Sequence, residues 1–197
     1  MKLAEVKEIY YITHIENLDS IIERGILSHS RAQSISHKKI DMTEVQERRQ
    51  TKCIPGGGPL HDYANLYFSS RNPMLYKRKD EHKDICVLRI SIEVLNISGV
   101  VVATANAASD YTSFYPPESG IEKLDRKLIF ARKWTDDDPI IGHKKRAAKC
   151  AEILIPDCVP PSLIFGAYVS CKENQASLIE VYPNLQIELQ PIIFFQE

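Results

Sequence analysis

Six short runs of β-branched and aromatic residues constrain the fold of this 197-residue chain more than any other feature of its sequence. They lie at residues 9–13, 85–92, 99–104, 149–155, 163–169 and 187–195. Each run has the length and composition of a strand, and Pro191 limits the last one to an edge or bulged position. Helical patterns are fewer and do not alternate regularly with these runs, as they would in a doubly wound sheet. The sequence therefore predicts an α+β fold in which strands outnumber helices.

The clearest helical pattern lies at residues 15–24. Leu18, Ile21 and Ile22 share one face at helical spacing. Gly25 follows directly, where a glycine commonly ends a helix. We therefore expect a short helix that packs this apolar face against the predicted sheet.

The other segments are more polar or are rich in glycine and proline. A second helix is predicted at 121–131, a helical or irregular stretch at 38–52, and loops at 53–59 and 106–117. No internal repeat or linker divides the sequence. A chain of this length suits one domain, which we assign to residues 1–197.

Cysteine usage and hydropathy point to a location in the cytoplasm. The five cysteines are widely spaced and form no CxxC pair, so neither a zinc site nor a disulfide framework is favoured. No apolar stretch approaches the length that crosses a bilayer, and the first residues form no secretory signal. No HExxH or DxD-like set is present, so we predict a reaction without a metal and without a membrane partner.

The net charge of −1 conceals a strongly basic region. Residues 24–79 hold eleven lysines and arginines against four acidic residues. A second basic cluster, HKKR at 143–146 with Lys149, lies further along the chain. Such patches suit a polyanion that contacts one face of the protein, although a solvated surface explains either cluster equally well.

Residues 60–76 (LHDYANLYFSSRNPMLY) form the least regular apolar segment. Tyrosines, a phenylalanine, a histidine and a methionine alternate with amides, Asp62 and Arg71, and neither the helical nor the strand period explains the order. Flat rings beside hydrogen-bonding groups can stack on nicotinamide or a nucleobase and read its edge. We interpret the segment as one wall of a site for a nucleotide-like ligand.

Glu152 is the clearest single candidate for a catalytic residue in this sequence. In a strand, Cys150, Glu152 and Leu154 face one way, and Ile153 and Ile155 face the other. A carboxylate in so apolar a run is costly to bury unless another group pairs with it. A half-exposed strand with this side chain in solvent explains the pattern equally well.

Three further motifs allow two interpretations. For His14, a helix-capping or core role is favoured over a site role when the residue is considered alone. The adjacent Arg48 and Arg49 suit a diphosphate through bidentate hydrogen bonds, although surface arginine pairs are commoner. The glycines at 56–58 are not followed by Gly-Lys-Ser or Gly-Lys-Thr, so we expect a flexible lid or connector rather than a phosphate loop.

Taken together, these residues form an ordered set of motifs. The set comprises YITHI at 11–15, NL at 17–18, ERR at 47–49, LHDY at 60–63, YF at 67–68, RNPMLY at 71–76, Arg146, and AEIL at 151–154. It resembles, in the same order, the motifs of the DarT family of DNA ADP-ribosyltransferase toxins. The resemblance extends from about residue 10 to residue 169.

The resemblance implies an ADP-ribosyltransferase fold, with a split strand-rich core, flanking helices and NAD in the cleft. It also implies the toxin of a toxin–antitoxin system, which transfers ADP-ribose from NAD to thymidine in single-stranded DNA and releases nicotinamide. The implied partner is an antitoxin whose macrodomain, a DNA ADP-ribosyl glycohydrolase, removes the modification. No metal is implied.

The resemblance also assigns roles by motif. It implies catalytic roles for Glu152 and Arg49. It implies NAD binding by Tyr11, Thr13, His14, Asn17, Leu18, Arg49 and Tyr67. It implies DNA binding by Arg71, Met74, Tyr76, Asn106 and Arg146.

Several roles stay open at this stage. Tyr11 stands where some DarT members carry histidine, so a backbone contact to nicotinamide is expected there. Arg49 would position the diphosphate or orient the base, and Glu152, His14 or a water would accept the base proton. Within the aromatic segment, Tyr67 is expected to face NAD and residues 71–76 to lead towards the DNA.

Two other functions remain compatible with the residues. One keeps the fold but acts on guanine or RNA, by ADP-ribosylation or by removal of a phosphate. The other is a non-catalytic single-strand binding module built from the same basic and aromatic groups. The second leaves a carboxylate in an apolar strand without a purpose, because a negative charge opposes phosphate binding.

Overall fold

The structure is a computed structural model that describes residues 1–40 and 42–196. In chain order the strands are β1 (Ile9–His14), β2 (Ile26–Leu27), β3 (Tyr63–Tyr67), β4 (Ile85–Ile90), β5 (Val101–Ala103), β6 (Phe114–Tyr115), β7 (Glu152–Pro156), β8 (Cys158–Val159), β9 (Ile164–Val169) and β10 (Gln186–Leu189). The α-helices are α1 (Leu18–Arg24), α2 (His29–Ala32), α3 (Thr43–Gln50), α4 (Pro73–Lys77), α5 (Pro117–Lys123), α6 (Arg126–Ile129), α7 (Pro139–Lys149) and α8 (Lys172–Val181).

Within the described residues, eight strands form one sheet and two form a small separate pair. The order in the sheet is β10-β9-β4-β1-β3-β7-β5-β6, and β2 pairs with β8. All neighbouring strands run antiparallel except β9 and β10, which are parallel and are connected through α8. The α+β prediction is confirmed, and β10 lies at an edge of the sheet, although Pro191 falls outside this strand.

The central strands are buried on both faces, which explains their unbroken apolar runs. In β7, Ile153 and Ile155 belong to the main core, whereas Leu154 packs on the opposite face with Ile54 and Leu60. The predicted alternation of this strand is thus confirmed. Glu152 lies on the same face as Leu154 because side chains two positions apart point the same way.

The first predicted helix is confirmed with a modified start. Residues Ile15–Asn17 form a 3₁₀ turn, and α1 begins at Leu18. Gly25 ends it with a φ of +86°, and a Cβ atom at this position would lie 2.2 Å from the carbonyl oxygen of Val159. Glycine is therefore required by both the backbone conformation and the close approach of β8.

Four predicted boundaries in the second half are wrong. The strand predicted at 187–195 ends at Leu189, because the chain turns into a 3₁₀ helix at Pro191. The helix predicted at 121–131 is two helices, α5 and α6, because the Asp125 carboxylate accepts hydrogen bonds from Lys127 N and Leu128 N and begins a new helix. The loop predicted at 106–117 contains β6 and the first residue of α5. The strand predicted from residue 149 begins at Glu152, because α7 continues to Lys149.

Candidate active site

A cavity of about 420 Å³ opens on the face of the sheet that carries Glu152. Its floor is formed by β1, β3 and the start of β7, and its roof by residues 37–40 and by α3. Nine residues of the predicted site line it: Tyr11, Thr13, Asn17, Arg49, Tyr67, Met74, Asn106, Arg146 and Glu152. The structure thus brings together residues from across 142 positions of the sequence, because antiparallel pairing places distant strands side by side.

Glu152 lies fully buried at the base of this cavity. Its Oε2 accepts a 3.0 Å hydrogen bond from Arg49 Nη1, and its Oε1 accepts a 3.2 Å hydrogen bond from the backbone amide of Ala107. Each carboxylate oxygen therefore has one protein partner and keeps acceptor capacity for a ligand hydroxyl. Pairing explains how a carboxylate is retained in so apolar a strand.

Arg49 reaches the carboxylate from the last turn of α3. Its side chain is 6% exposed, although the helix around it is strongly polar. The preceding Arg48 is exposed, lines the cavity and donates from Nε to the carbonyl oxygen of Glu44. The two adjacent arginines therefore differ in role: one is committed to Glu152, and the other is available to an anion in the cavity.

Tyr67 lies directly across the sheet from Glu152, as its register partner on β3. Burial, and then the negative charge of Glu152, raises the pKa of the Tyr67 phenol well above its ordinary value. The ring is therefore a neutral, protonated phenol beside the carboxylate. Asn65, two residues earlier on the same face, places its Nδ2 3.5 Å from the phenol oxygen.

Cys150 completes the base of the cavity between α7 and β7. Burial, followed by the charge of Glu152, raises the pKa of this thiol to about 12. The residue remains a thiol at neutral pH and is not a nucleophile, because nucleophilic cysteines react as thiolates. It serves here as a small apolar surface.

Sequence reasoning missed the part of the roof that precedes α3. We call residues 34–40 the strap; its members His37, Lys38, Lys39 and Ile40 line the cavity. Asn17 holds the strap through two hydrogen bonds to the backbone of Lys38, of 2.8 and 2.9 Å, and Arg78 Nε donates to the carbonyl oxygen of Ile40 at 3.0 Å. The only signal in the sequence was the density of charges from residue 38 onward.

Two residues of the predicted NAD site do not line the cavity. His14 Nδ1 accepts a 3.2 Å hydrogen bond from Glu16 N, so this side chain caps the turn that precedes α1. Leu18 is fully buried in the main core. His14 therefore has the capping role that was favoured when the residue was considered alone. Leu18 has the core position predicted from the apolar face of its helix.

Two residues of the predicted DNA site also lie outside the cavity, in an aromatic cluster formed by Tyr76, Trp134 and Phe195. Tyr76 meets the other two rings edge to face, at centroid distances of 5.9 and 4.9 Å. The Arg71 guanidinium lies 4.0 Å from the centre of the Phe195 ring, and Nη1 donates to the carbonyl oxygen of Ile192. Met74, on the same helix as Tyr76, does reach the cavity.

The side chains that line the cavity indicate the kind of ligand it can accept. Among the described residues there is no group of three or more His, Cys, Asp and Glu side chains placed to hold a metal ion. The cavity combines one paired carboxylate, tyrosine rings and a basic roof. This combination suits a ligand with a flat heterocycle, a sugar and phosphates.

Solved structures of DNA ADP-ribosyltransferases share this architecture. Thermus sp. 2.9 DarT in complex with ADP-ribosylated ssDNA matches 98% of this chain and 98% of its own, with a TM-score of 0.81 and 27% identity. The same protein in complex with NAD+ matches 96% of this chain and 98% of its own, with a TM-score of 0.75 and 26% identity. The fold is therefore that of an ADP-ribosyltransferase.

Sequence comparison defines the family within that class. A family model described as ssDNA thymidine ADP-ribosyltransferase, DarT, matches residues 10–196. A DNA ADP-ribosyl transferase–DNA ADP-ribosyl glycohydrolase fusion protein of Thermosipho africanus is 34% identical over 96% of this chain. The chain spans about half of that fusion protein, 50% of its length. The chain belongs to the DarT family.

Proposed function

We propose that this protein transfers ADP-ribose from NAD to a thymidine base of single-stranded DNA and releases nicotinamide. The observation that carries the proposal is the buried Glu152, fixed by Arg49 and the Ala107 amide at the base of a ligand-sized cavity. Membership of the DarT family and the nucleotide and DNA complexes of its structural relatives support the same activity.

The cavity fits NAD in both volume and chemistry. About 420 Å³ lies within the usual range for small-molecule sites. Tyr67 supplies a flat surface beside Glu152 for the nicotinamide ring, and Tyr11 and Thr13 line the cavity from β1. Arg48 and Lys38 stand at the roof, where a diphosphate would be neutralised.

Glu152 supplies the main electrostatic contribution to catalysis in this proposal. Breaking the bond between nicotinamide and ribose develops positive, oxocarbenium-like charge on the sugar, as in glycoside cleavage. A carboxylate already fixed by Arg49 and the Ala107 amide stabilises that charge without reorganising. Arg49 therefore acts by orienting Glu152, and the diphosphate is left to Arg48.

The base must lose a proton when its ring nitrogen attacks the sugar. His14 is turned away into its capping hydrogen bond, which leaves Glu152 or a water as the acceptor. The attacking nitrogen takes part in base pairing and is hidden in a duplex, so a single strand is the substrate. Asn106, Arg146 and Met74 line the cavity where that strand would enter, and Arg71 and Tyr76 position α4.

The biological setting follows from the same proposal. Because the Thermosipho africanus relative carries a DNA ADP-ribosyl glycohydrolase in the same polypeptide, we propose a macrodomain antitoxin as the partner. All five cysteines are free, as expected in the reducing cytoplasm, where NAD and single-stranded genomic DNA occur together. In the described part of the chain, none of the helices combines the length and apolar character required to span a membrane.

The test is nicotinamide release from NAD, measured with and without oligonucleotides that contain a single reactive base. We expect release and a mass gain of one ADP-ribose only with single-stranded, thymidine-containing DNA. Glu152→Gln should lower the rate by about 10²–10³-fold while leaving the fold intact. Modification of guanine or RNA would overturn the substrate, and DNA binding without nicotinamide release would indicate a binding module.

A further inference from the structure

A second concave surface adjoins the cavity and is unused by the reaction described above. We call it the flanking groove: an open depression of about 610 Å³ between the β5–β6 loop (residues 104–113) and α7. Thr104, Ala105 and Tyr111 form one side, and His143, Lys144 and Ala147 form the other.

The flanking groove continues the cavity along the same two elements. Asn106 and Arg146 line the cavity, and their chain neighbours Ala105 and Ala147 line the groove. On α7, His143 and Arg146 are three residues apart and so share a face. A strand whose reacting base enters the cavity past Asn106 and Arg146 therefore meets the groove within its next nucleotides.

The loop between β5 and β6 exposes the ring of Tyr111. Tyr111 is 88% exposed, which is unusual for a large aromatic side chain. The loop beneath it is tied internally, since Asn106 accepts hydrogen bonds from Thr112 Oγ1 at 2.6 Å and from Ala108 N at 2.9 Å. Lys52 also pairs with Asp110 and anchors the tip to the chain beyond α3.

The opposite wall of the flanking groove is basic and low in profile. His143 and Lys144 are exposed, and Ala147 beside them leaves space above the helix. No acidic side chain is among the described residues that line the groove, and the nearby Asp110 is already paired with Lys52. An aromatic ring facing a cation across a small-residue floor suits a stacked base with its phosphate.

We propose that the flanking groove binds a nucleotide next to the modified base, with its base stacked on Tyr111 and its phosphate near Lys144. This inference rests on the proposed function and adds a determinant of substrate length and position. It places the DNA along the β5–β6 loop and α7, and not across the aromatic cluster of Tyr76, Trp134 and Phe195.

The experiment compares oligonucleotides with one thymidine that are extended by several nucleotides on the 5′ side, the 3′ side or neither. We expect the wild-type protein to have a lower KM for one of the extended oligonucleotides. Tyr111→Ala should raise that KM about tenfold, with kcat and the KM for the shortest oligonucleotide unchanged. Tyr111→Phe should restore the preference, and Phe130→Ala, an exposed aromatic that lines neither site, should not alter it.

A salt titration tests the phosphate contact separately. Lys144→Ala should reduce the slope of log Kd for single-stranded DNA against log salt by about 0.7, the value for one phosphate contact on a single strand. Lys172→Ala, an exposed lysine on α8, is the matched control and should leave the slope unchanged.

The outcomes separate the two proposals. If Tyr111→Ala has the wild-type KM on every oligonucleotide, or lowers kcat on the shortest one, the groove assignment is overturned while the transferase activity stands. If the wild-type protein modifies no oligonucleotide, the proposed function itself fails.

Discussion

Arg49 Nη1 donates a 3.0 Å hydrogen bond to Glu152 Oε2 and joins two residues that are 103 positions apart in the chain. The pair connects the last turn of α3 with the first residue of β7. Because both side chains are buried, the interaction holds the roof of the cavity to its base and presents the carboxylate in one orientation.

We expect Arg49→Ala to destabilise the protein by about 3–5 kcal/mol, because it leaves a buried carboxylate unpaired. Arg49→Ala/Glu152→Ala should be more stable than the single Arg49→Ala variant, since the uncompensated charge is then gone. Urea unfolding of both single variants and the double variant measures this coupling. Strictly additive losses would show that the pair is not coupled.

The elevated pKa of Tyr67 keeps its phenol protonated across neutral and mildly alkaline pH. We therefore expect Tyr67→Phe to retain most of the activity and to leave the pH–rate profile below pH 10 unchanged. Tyr67→Ala should raise the KM for NAD about tenfold, because it removes the ring surface. Steady-state kinetics on both variants make the comparison, and a large kcat loss in Tyr67→Phe would instead assign a role to the hydroxyl.

Lys149 is a buried lysine whose Nζ donates to Ser69 Oγ at 2.8 Å and to the carbonyl oxygen of Ile129 at 2.9 Å. Burial, and then the positive charge of Arg71, lowers the pKa of Lys149 to about 8. The folded state therefore binds this proton more weakly than the unfolded state. The free energy of unfolding should rise with pH above 8, because loss of the proton removes the cost of keeping a charged lysine buried in the folded state.

Compared with Lys149→Met, the wild-type protein should gain roughly 2–3 kcal/mol of unfolding free energy between pH 8 and 10. Urea denaturation at several pH values gives this difference. The exposed Lys172→Met variant serves as the control and should follow the wild-type pH curve. Parallel pH curves for wild type and Lys149→Met would contradict the depressed pKa.

Cys150 should resist alkylation in the native protein. Its pKa of about 12 leaves almost no thiolate at pH 8, whereas Cys53 is exposed in the loop after α3. Peptide mass spectrometry after brief iodoacetamide treatment should show modified Cys53 and unmodified Cys150, and both should react in urea. We also expect Cys150→Ser to keep transferase activity, because the thiol takes no part in the reaction.

Asn17 should affect NAD binding through the strap. Asn17→Ala removes both hydrogen bonds to the Lys38 backbone and frees the roof of the cavity. We expect the KM for NAD to rise several-fold, about the effect of 1 kcal/mol, with kcat little changed. Asn174→Ala is the control, because Asn174 on α8 also donates a side-chain hydrogen bond to a backbone carbonyl oxygen, that of Lys83. An equal rise in the KM for NAD in this variant would exclude a specific role for Asn17.

Much of the sheet could be predicted because strand formation depends strongly on local residue types. The β-branched runs located β1, β4, β5, β7 and β9, and alternation placed Glu152 and Leu154 on one face. The helix α7 was not predicted; only the basic cluster at 143–146 was noted, and Lys149 was assigned to a strand. The strap was missed because contacts with Asn17 and Arg78, which are distant in sequence, hold it in place.

The candidate site shows the same division. Nine predicted residues line the cavity. Six of them lie on or shortly after β1, β3, β5 and β7, and three reach it from the helices α3, α4 and α7. The Ala107 amide could not be found from sequence, since every residue except proline carries such a group. Arg71 and Tyr76 were placed in the aromatic cluster by the C-terminal segment around Phe195.

The sequence by itself determined the fold class, the family and the residue types that chemistry requires, because these depend on local composition and on motif order. Only the tertiary structure decided which of those residues meet. Pairing of β3 with β7 and docking of α3 gave Glu152 its partners Tyr67 and Arg49. A buried carboxylate is stable only where such long-range contacts compensate its loss of water, and no local pattern specifies them.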